Sequence, residues 1–121
     1  MSFIYVALGG AIGAVGRYSL SLITVKTEFP FITLITNLIG ALLIGFIVGI
    51  VSDHTDISDN TILLWKTGIC GGFTTFSTFS LEVLNLIEKK SYYIGGSYIL
   101  LSVILCVAGV FLGKRLAALF S

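Results

Sequence analysis

A chain of 121 residues that is 56% hydrophobic and only 11% charged is not an ordinary soluble domain, in which about a quarter of residues carry charge. A water-soluble fold of this size could not hide so much apolar surface, so the excess faces lipid. Too little polar sequence is left for a separate soluble domain, which puts the function within the membrane.

Crossing about 30 Å of hydrocarbon as a helix takes roughly 20 apolar residues. Four stretches qualify, about 3–23, 31–51, 62–87 and 93–120, which makes residues 1–121 a single all-α transmembrane domain. Long continuous apolar runs argue against a β-barrel, whose strands alternate over about ten residues. The first run lacks the basic start of a cleaved signal and carries glycine pairs and Arg17, so it reads as a spanning helix.

In lipid, helices associate by close packing of small residues. The first run spaces Gly9, Gly13 and Arg17 four apart; the second does the same with Thr33, Asn37, Ala41, Gly45 and Gly49. In the fourth, Tyr98, Ser102 and Cys106 form one row, with Gly109 and Gly113 a turn apart. This spacing keeps each set on one helix face. The glycines read as points of tight contact. Arg17 and Asn37 differ, because an Arg at the helix centre costs about 2.5–3.5 kcal/mol on insertion scales, so each needs a partner or water. For Asn37 a structural hydrogen bond and a place on an ion pathway both stay open.

From Gly68 to Ser80 the third run reads G-I-C-G-G-F-T-T-F-S-T-F-S. Each glycine costs a helix about 1 kcal/mol relative to alanine, and the hydroxyls compete for backbone hydrogen bonds. The pattern predicts a break over 71–80 at mid-membrane, leaving carbonyls and amides without helical partners. Non-helical backbone at that depth is tolerated only where protein buries it or an aqueous cavity meets it. Freed carbonyls suit a cation and half-helix N-termini suit an anion. An ion site accounts for the coincidence of break, hydroxyls and phenyl rings better than a packing kink does.

Phe76 and Phe79 share a face of the resumed helix, with Ser77 and Thr78 beside them. Positive ring edges can help hold a small anion. Glu82 follows near the mouth and reads as an interfacial charge. Cys70 and Cys106 read as small packing residues rather than a disulfide, and His54, alone in the acidic 52–61 loop, as a solvated surface residue.

With four spans, both termini and the 52–61 loop share one side, which holds Lys66, Lys114 and Arg115, while the other holds Lys26, Lys89 and Lys90. The excess of Lys and Arg that normally orients a membrane protein is therefore missing. Either weaker signals set one orientation, or the chain inserts both ways and pairs antiparallel. Four helices rarely enclose a pathway alone, which favours an oligomer.

Three segments carry a resemblance: GGAIGAVGRY at 9–18, TLITNLIG at 33–40 and GICGGFTTFSTFSLE at 68–82. Through them, and along essentially its whole length, the chain is similar to the small bacterial fluoride channels called CrcB or Fluc proteins; the last string is the most specific. The resemblance implies an antiparallel, dual-topology homodimer in lipid, with two fluoride pores and the broken helices crossing at its centre. It implies a structural Na⁺ held by main-chain carbonyls of Gly71 and Thr74 from both subunits. It makes Phe76 and Phe79 the aromatic box, Asn37 a donor at the pore, and Ser77, Thr78, Tyr98 and Ser102 a polar track. Arg17 would attract anion at one entrance and Glu82 would sit towards the opposite mouth. The chain departs from the pattern at Ile32, where glycine is common, and at Cys106, where a hydroxyl is expected; the second change bears on the length of the track.

The implied mechanism is passive. Fluoride's water is replaced by the Asn37 amide, hydroxyls and ring edges, bound firmly enough to enter and weakly enough to leave. Fluoride trapped in the cytoplasm after HF dissociates would exit across the inner (plasma) membrane. Nothing resembles a phosphate-binding loop, so the expectation is a channel, neither an enzyme nor a nucleic-acid binder. A proton-coupled exporter of the small multidrug type wants a carboxylate deep in the membrane, whereas the first run has Arg17 and no acid. A non-transporting assembly subunit would leave the hydroxyl and phenylalanine cluster unexplained.

Overall fold

Three of the apolar runs fold as long unbroken helices, and the remaining one, the third in the chain, is divided. The computed structural model describes residues 1–120, in chain order α1 (Ser2–Ser21), α2 (Phe31–Asp53), α3 (Asp59–Ile62), a π-helical stretch (Leu63–Cys70), α4 (Gly71–Phe73), α5 (Phe76–Glu88) and α6 (Tyr92–Ala118). Helices α1, α2 and α6 are 20, 23 and 27 residues long and apolar enough to cross a membrane. At 1.5 Å per residue, about 20 residues match a hydrocarbon core of about 30 Å.

The helices pack as two backbone-close pairs. α2 and α6 lie together along their length, and α1 lies on the π-helical stretch and α4. Small residues make both approaches possible. A Cβ on Gly13 would collide with the Ile69 carbonyl oxygen and come within 2.7 Å of the Phe73 amide nitrogen. A Cβ on Gly113 would collide with the Leu42 carbonyl oxygen and come within 2.8 Å of the Phe46 nitrogen. In lipid, where burying apolar surface drives nothing, such contact supplies much of the association energy.

The short elements have local causes. Ser58 caps α3 by accepting the Thr61 N–H at 3.3 Å, and Asp59 puts negative charge at the helix start. At the end of α2, His54 is half-buried rather than solvated: its N–H reaches Ile50 O at 3.1 Å and its Nδ1 lies 3.0 Å from the same oxygen. Between α5 and α6, Lys90 takes a left-handed φ of 62°, which lets the Ser91 N–H close on Leu86 O at 2.8 Å. The Ser91 hydroxyl donates to Glu28, tying this turn to the connection between α1 and α2. The core is small: Leu34, Leu86 and Tyr98, with Phe29, Phe79, Val83, Ile94 and Leu105 packed around them.

Candidate functional site at the helix interruption

Between α4 and α5 the extended residues are Thr74 (ψ 156°) and Thr75 (φ −146°, ψ 115°). The interruption is thus shorter than 71–80, because α4 stays helical against α1 and the Thr74 N–H and hydroxyl both close on Cys70 O, at 3.0 and 2.9 Å. The π-helical stretch just before it has no counterpart in the sequence reading; such wider turns recur at functional sites.

Backbone groups released by a break need new partners, and three side chains supply them. Asn37 pairs with both sides of Thr75: Oδ1 accepts the Thr75 N–H at 2.8 Å and Nδ2 donates to Thr75 O at 3.1 Å. Arg17 Nε donates to Gly72 O at 3.3 Å. The Thr75 hydroxyl accepts the Thr78 N–H at 3.1 Å and so starts α5. The two costly polar residues of α1 and α2 both end on this break.

Aromatic rings continue from it. Phe76 is 79% exposed in the single chain and lies 5.5 Å, centroid to centroid, from Phe79. Phe79 meets Tyr98 at 5.0 Å with the rings tilted by 56°, and Tyr98 also meets Phe29 at 5.5 Å and 73°. Tyr98 is fully buried and its hydroxyl donates to Glu82 at 2.9 Å. One turn on, Ser102 is buried and its hydroxyl has no partner. Cys106 follows, half-buried, while Cys70 is buried; both are unpaired thiols.

Three depressions divide these groups. A groove of about 690 Å³ brings together Gly71, Asn37, Thr74, Phe76, Phe79 and Ser102, with Cys106 and Lys66 further along it. A second, of about 340 Å³, joins Arg17 to Ser77 and Thr78, and shares Gly71, Thr74, Thr75 and Phe76 with the first. Glu82 lines a third of about 350 Å³ with Glu28, Phe29 and Lys89. Tyr98 lines none of the three and stands between Phe79 and Glu82 as a buried link.

A family model described as CrcB-like protein, Camphor Resistance (CrcB), matches residues 4–114, a span that holds the whole interruption and its partners. The chain belongs to the CrcB family. It is 44% identical over 120 residues to the Fluoride-specific ion channel FluC of Roseiflexus sp. (strain RS-1), covering 97% of each chain. It is 44% identical over 116 residues to the protein of that name from Clostridium novyi (strain NT), covering 93% of this chain and 91% of the relative. The Thermococcus kodakarensis protein of that name is 41% identical over 113 residues, covering 93% and 92%. With three helices able to cross a membrane, this CrcB-family chain is a membrane protein of a channel family, not an enzyme.

The carbonyls of this CrcB-family chain suit a hard cation. In an unbroken helix the N–H groups of Thr75 and Thr78 would close on Gly71 O and Thr74 O. Here Asn37 Oδ1 and Thr75 Oγ1 take those donors, so both carbonyls are left without a helical partner. A Cβ on Gly71 would meet nothing within 4 Å, so that side of the chain is open. Two carbonyls of one chain are too few to enclose such a cation.

Sequence reasoning passed over Thr75, the residue on which the site turns. A Thr three residues before Thr78, at the head of an apolar run, is a helix-start signal that could have found it. Lys66 on the groove and buried Thr36 carried no such signal.

Proposed function

We propose that this chain is a fluoride channel of the inner (plasma) membrane, passing cytoplasmic fluoride outward down its electrochemical gradient. The segment from Asp59 to Glu88 is the third of four crossings, and two chains pair antiparallel to give two pores. The balanced Lys and Arg, the open side at Gly71 and the uncovered Phe76 ring support that pairing.

One arrangement carries the reading: Asn37, fixed by Thr75, lies on the same groove as Phe76, Phe79 and the unpartnered Ser102 hydroxyl. Asn37 Nδ2 has two N–H groups, and Thr75 O occupies one. The other is left to donate to an anion, and Ser102, whose buried hydroxyl has no partner, lines the same groove. Ring edges of Phe76 and Phe79 add positive quadrupole without a full charge. A full positive charge would hold the ion too tightly for rapid release. The relatives, fluoride-specific ion channels by name, supply the identity of the anion.

Gly71 and Thr74 carbonyls from both subunits would hold a structural Na⁺, which when bound adds fixed positive charge between the chains. Arg17 draws anion towards the Ser77 and Thr78 depression, and Glu82 borders the opposite mouth.

The test is efflux from liposomes loaded with potassium fluoride or potassium chloride, followed with ion-selective electrodes. Rapid fluoride efflux with little chloride efflux is expected. Equal rates would refute selectivity, and absence of flux from assembled protein would refute the channel.

A further inference from the structure

Phe29 lies in the connection between α1 and α2, outside the segments that suggested the site, yet its ring completes the core beneath it. It meets Tyr98 edge-on at 5.5 Å and 73°, and Phe79 meets the same ring at 5.0 Å. The connection itself is anchored. The Phe29 carbonyl accepts from the Phe31 N–H at 2.9 Å and the Thr27 hydroxyl at 3.0 Å, and Glu28 accepts from Ser91. Phe29 also shares a cavity with Glu82, the residue to which the Tyr98 hydroxyl donates.

We propose that Phe29 is a positioning residue for conduction, holding Tyr98 so that its hydroxyl stays on Glu82 and its ring supports Phe79. This rests on the fluoride-channel reading. A phenol has one proton to donate. While it sits on Glu82, the carboxylate beside the path is held in place with one oxygen occupied by that bond. Without the Phe29 ring, Tyr98 has room to swing into the cavity of about 350 Å³. Glu82 then loses its donor, and Phe79 loses the ring behind it. Both changes oppose an anion.

The experiment measures fluoride and chloride efflux from liposomes for wild type, Phe29→Ala, Phe29→Leu and Phe29→Tyr, and for Phe29→Ala and Phe29→Leu combined with Tyr98→Phe. Edge-on aromatic pairs shift equilibria by about two- to tenfold. Fluoride efflux and the fluoride-to-chloride ratio should therefore fall by that order in Phe29→Ala and Phe29→Leu, and recover in Phe29→Tyr. In the Tyr98→Phe background, changing Phe29 should cost less than it does in wild type, since the hydroxyl it positions is gone and only the support of Phe79 remains. Should Phe29→Ala fail to assemble on size exclusion, Phe29→Leu, which keeps bulk without the ring edge, decides the matter alone and with Tyr98→Phe. Assembled variants with wild-type rate and ratio, or losses that simply add in the double variants, would overturn the proposal. A wild type without fluoride flux would refute the channel reading itself; a conducting wild type with unaltered Phe29 variants would refute only the role of Phe29.

Discussion

Asn37 offers the sharpest test of how the interruption is held. Its amide satisfies the N–H and the C=O of Thr75 together, at 2.8 and 3.1 Å. Asn37→Ala removes both partners at once. A backbone group left unsatisfied inside a protein costs about 1–3 kcal/mol, so two cost about 2–6 kcal/mol, less whatever water can reach this half-buried site. Asn37→Asp separates the two bonds. An ionised carboxylate still accepts from the Thr75 N–H, but turns negative charge on the Thr75 carbonyl. Protonating it restores a donor, so its deficit should narrow as pH falls towards the ordinary aspartate range near about 4. Thermal unfolding in detergent at pH 8 and pH 4.5, with hydrogen exchange at the Thr75 amide, measures both effects. Asn37→Ala should melt well below wild type at either pH and lose protection at Thr75. Wild-type melting and an unchanged Thr75 amide in Asn37→Ala would refute the reasoning, as would an Asn37→Asp protein indifferent to pH.

Thr75→Val removes the hydroxyl that caps α5 and should cost about 1 kcal/mol, while Thr75→Ser keeps it; chemical denaturation of the two compares them. Phe79→Ile should assemble normally yet suppress fluoride efflux, whereas wild-type efflux would make the ring mere packing. Gly113→Ala drives a Cβ into the Leu42 carbonyl oxygen and should lower the melting temperature, while Gly96→Ala, with nothing within 4 Å, should be neutral or slightly stabilising. If Gly71 and Thr74 carbonyls hold Na⁺, stability should rise with Na⁺ concentration by about 1.4 kcal/mol per tenfold above the dissociation constant. Melting that ignores replacement of Na⁺ by N-methylglucamine would remove the ion from the proposal.

Much of the helical architecture was legible in the sequence, because hydropathy is a local property and lipid demands it over about 20 residues at a stretch. That is why α1, α2 and α6 can be read off the chain. The weakness of the Gly68–Ser80 stretch was equally plain, since glycine and hydroxyl residues disfavour a helix wherever they stand. Which turn of it opens was not legible. The choice of Thr74 and Thr75 depends on Asn37, 38 residues before Thr75, and on Arg17, 55 residues before Gly72. The cost of those two polar groups in hydrocarbon required partners; the chain path alone decided that both would find them at the same break. In the same way the small-residue stripes marked faces for close contact without saying that α1 would meet the π-helical stretch and α2 would meet α6. Phe29 left no trace at all, because an aromatic residue before a proline looks like any connection until folding brings Tyr98 beneath it. Propensity and hydropathy act within a few residues, whereas a partner for a freed carbonyl or a wall for a ring is supplied from wherever the fold returns the chain.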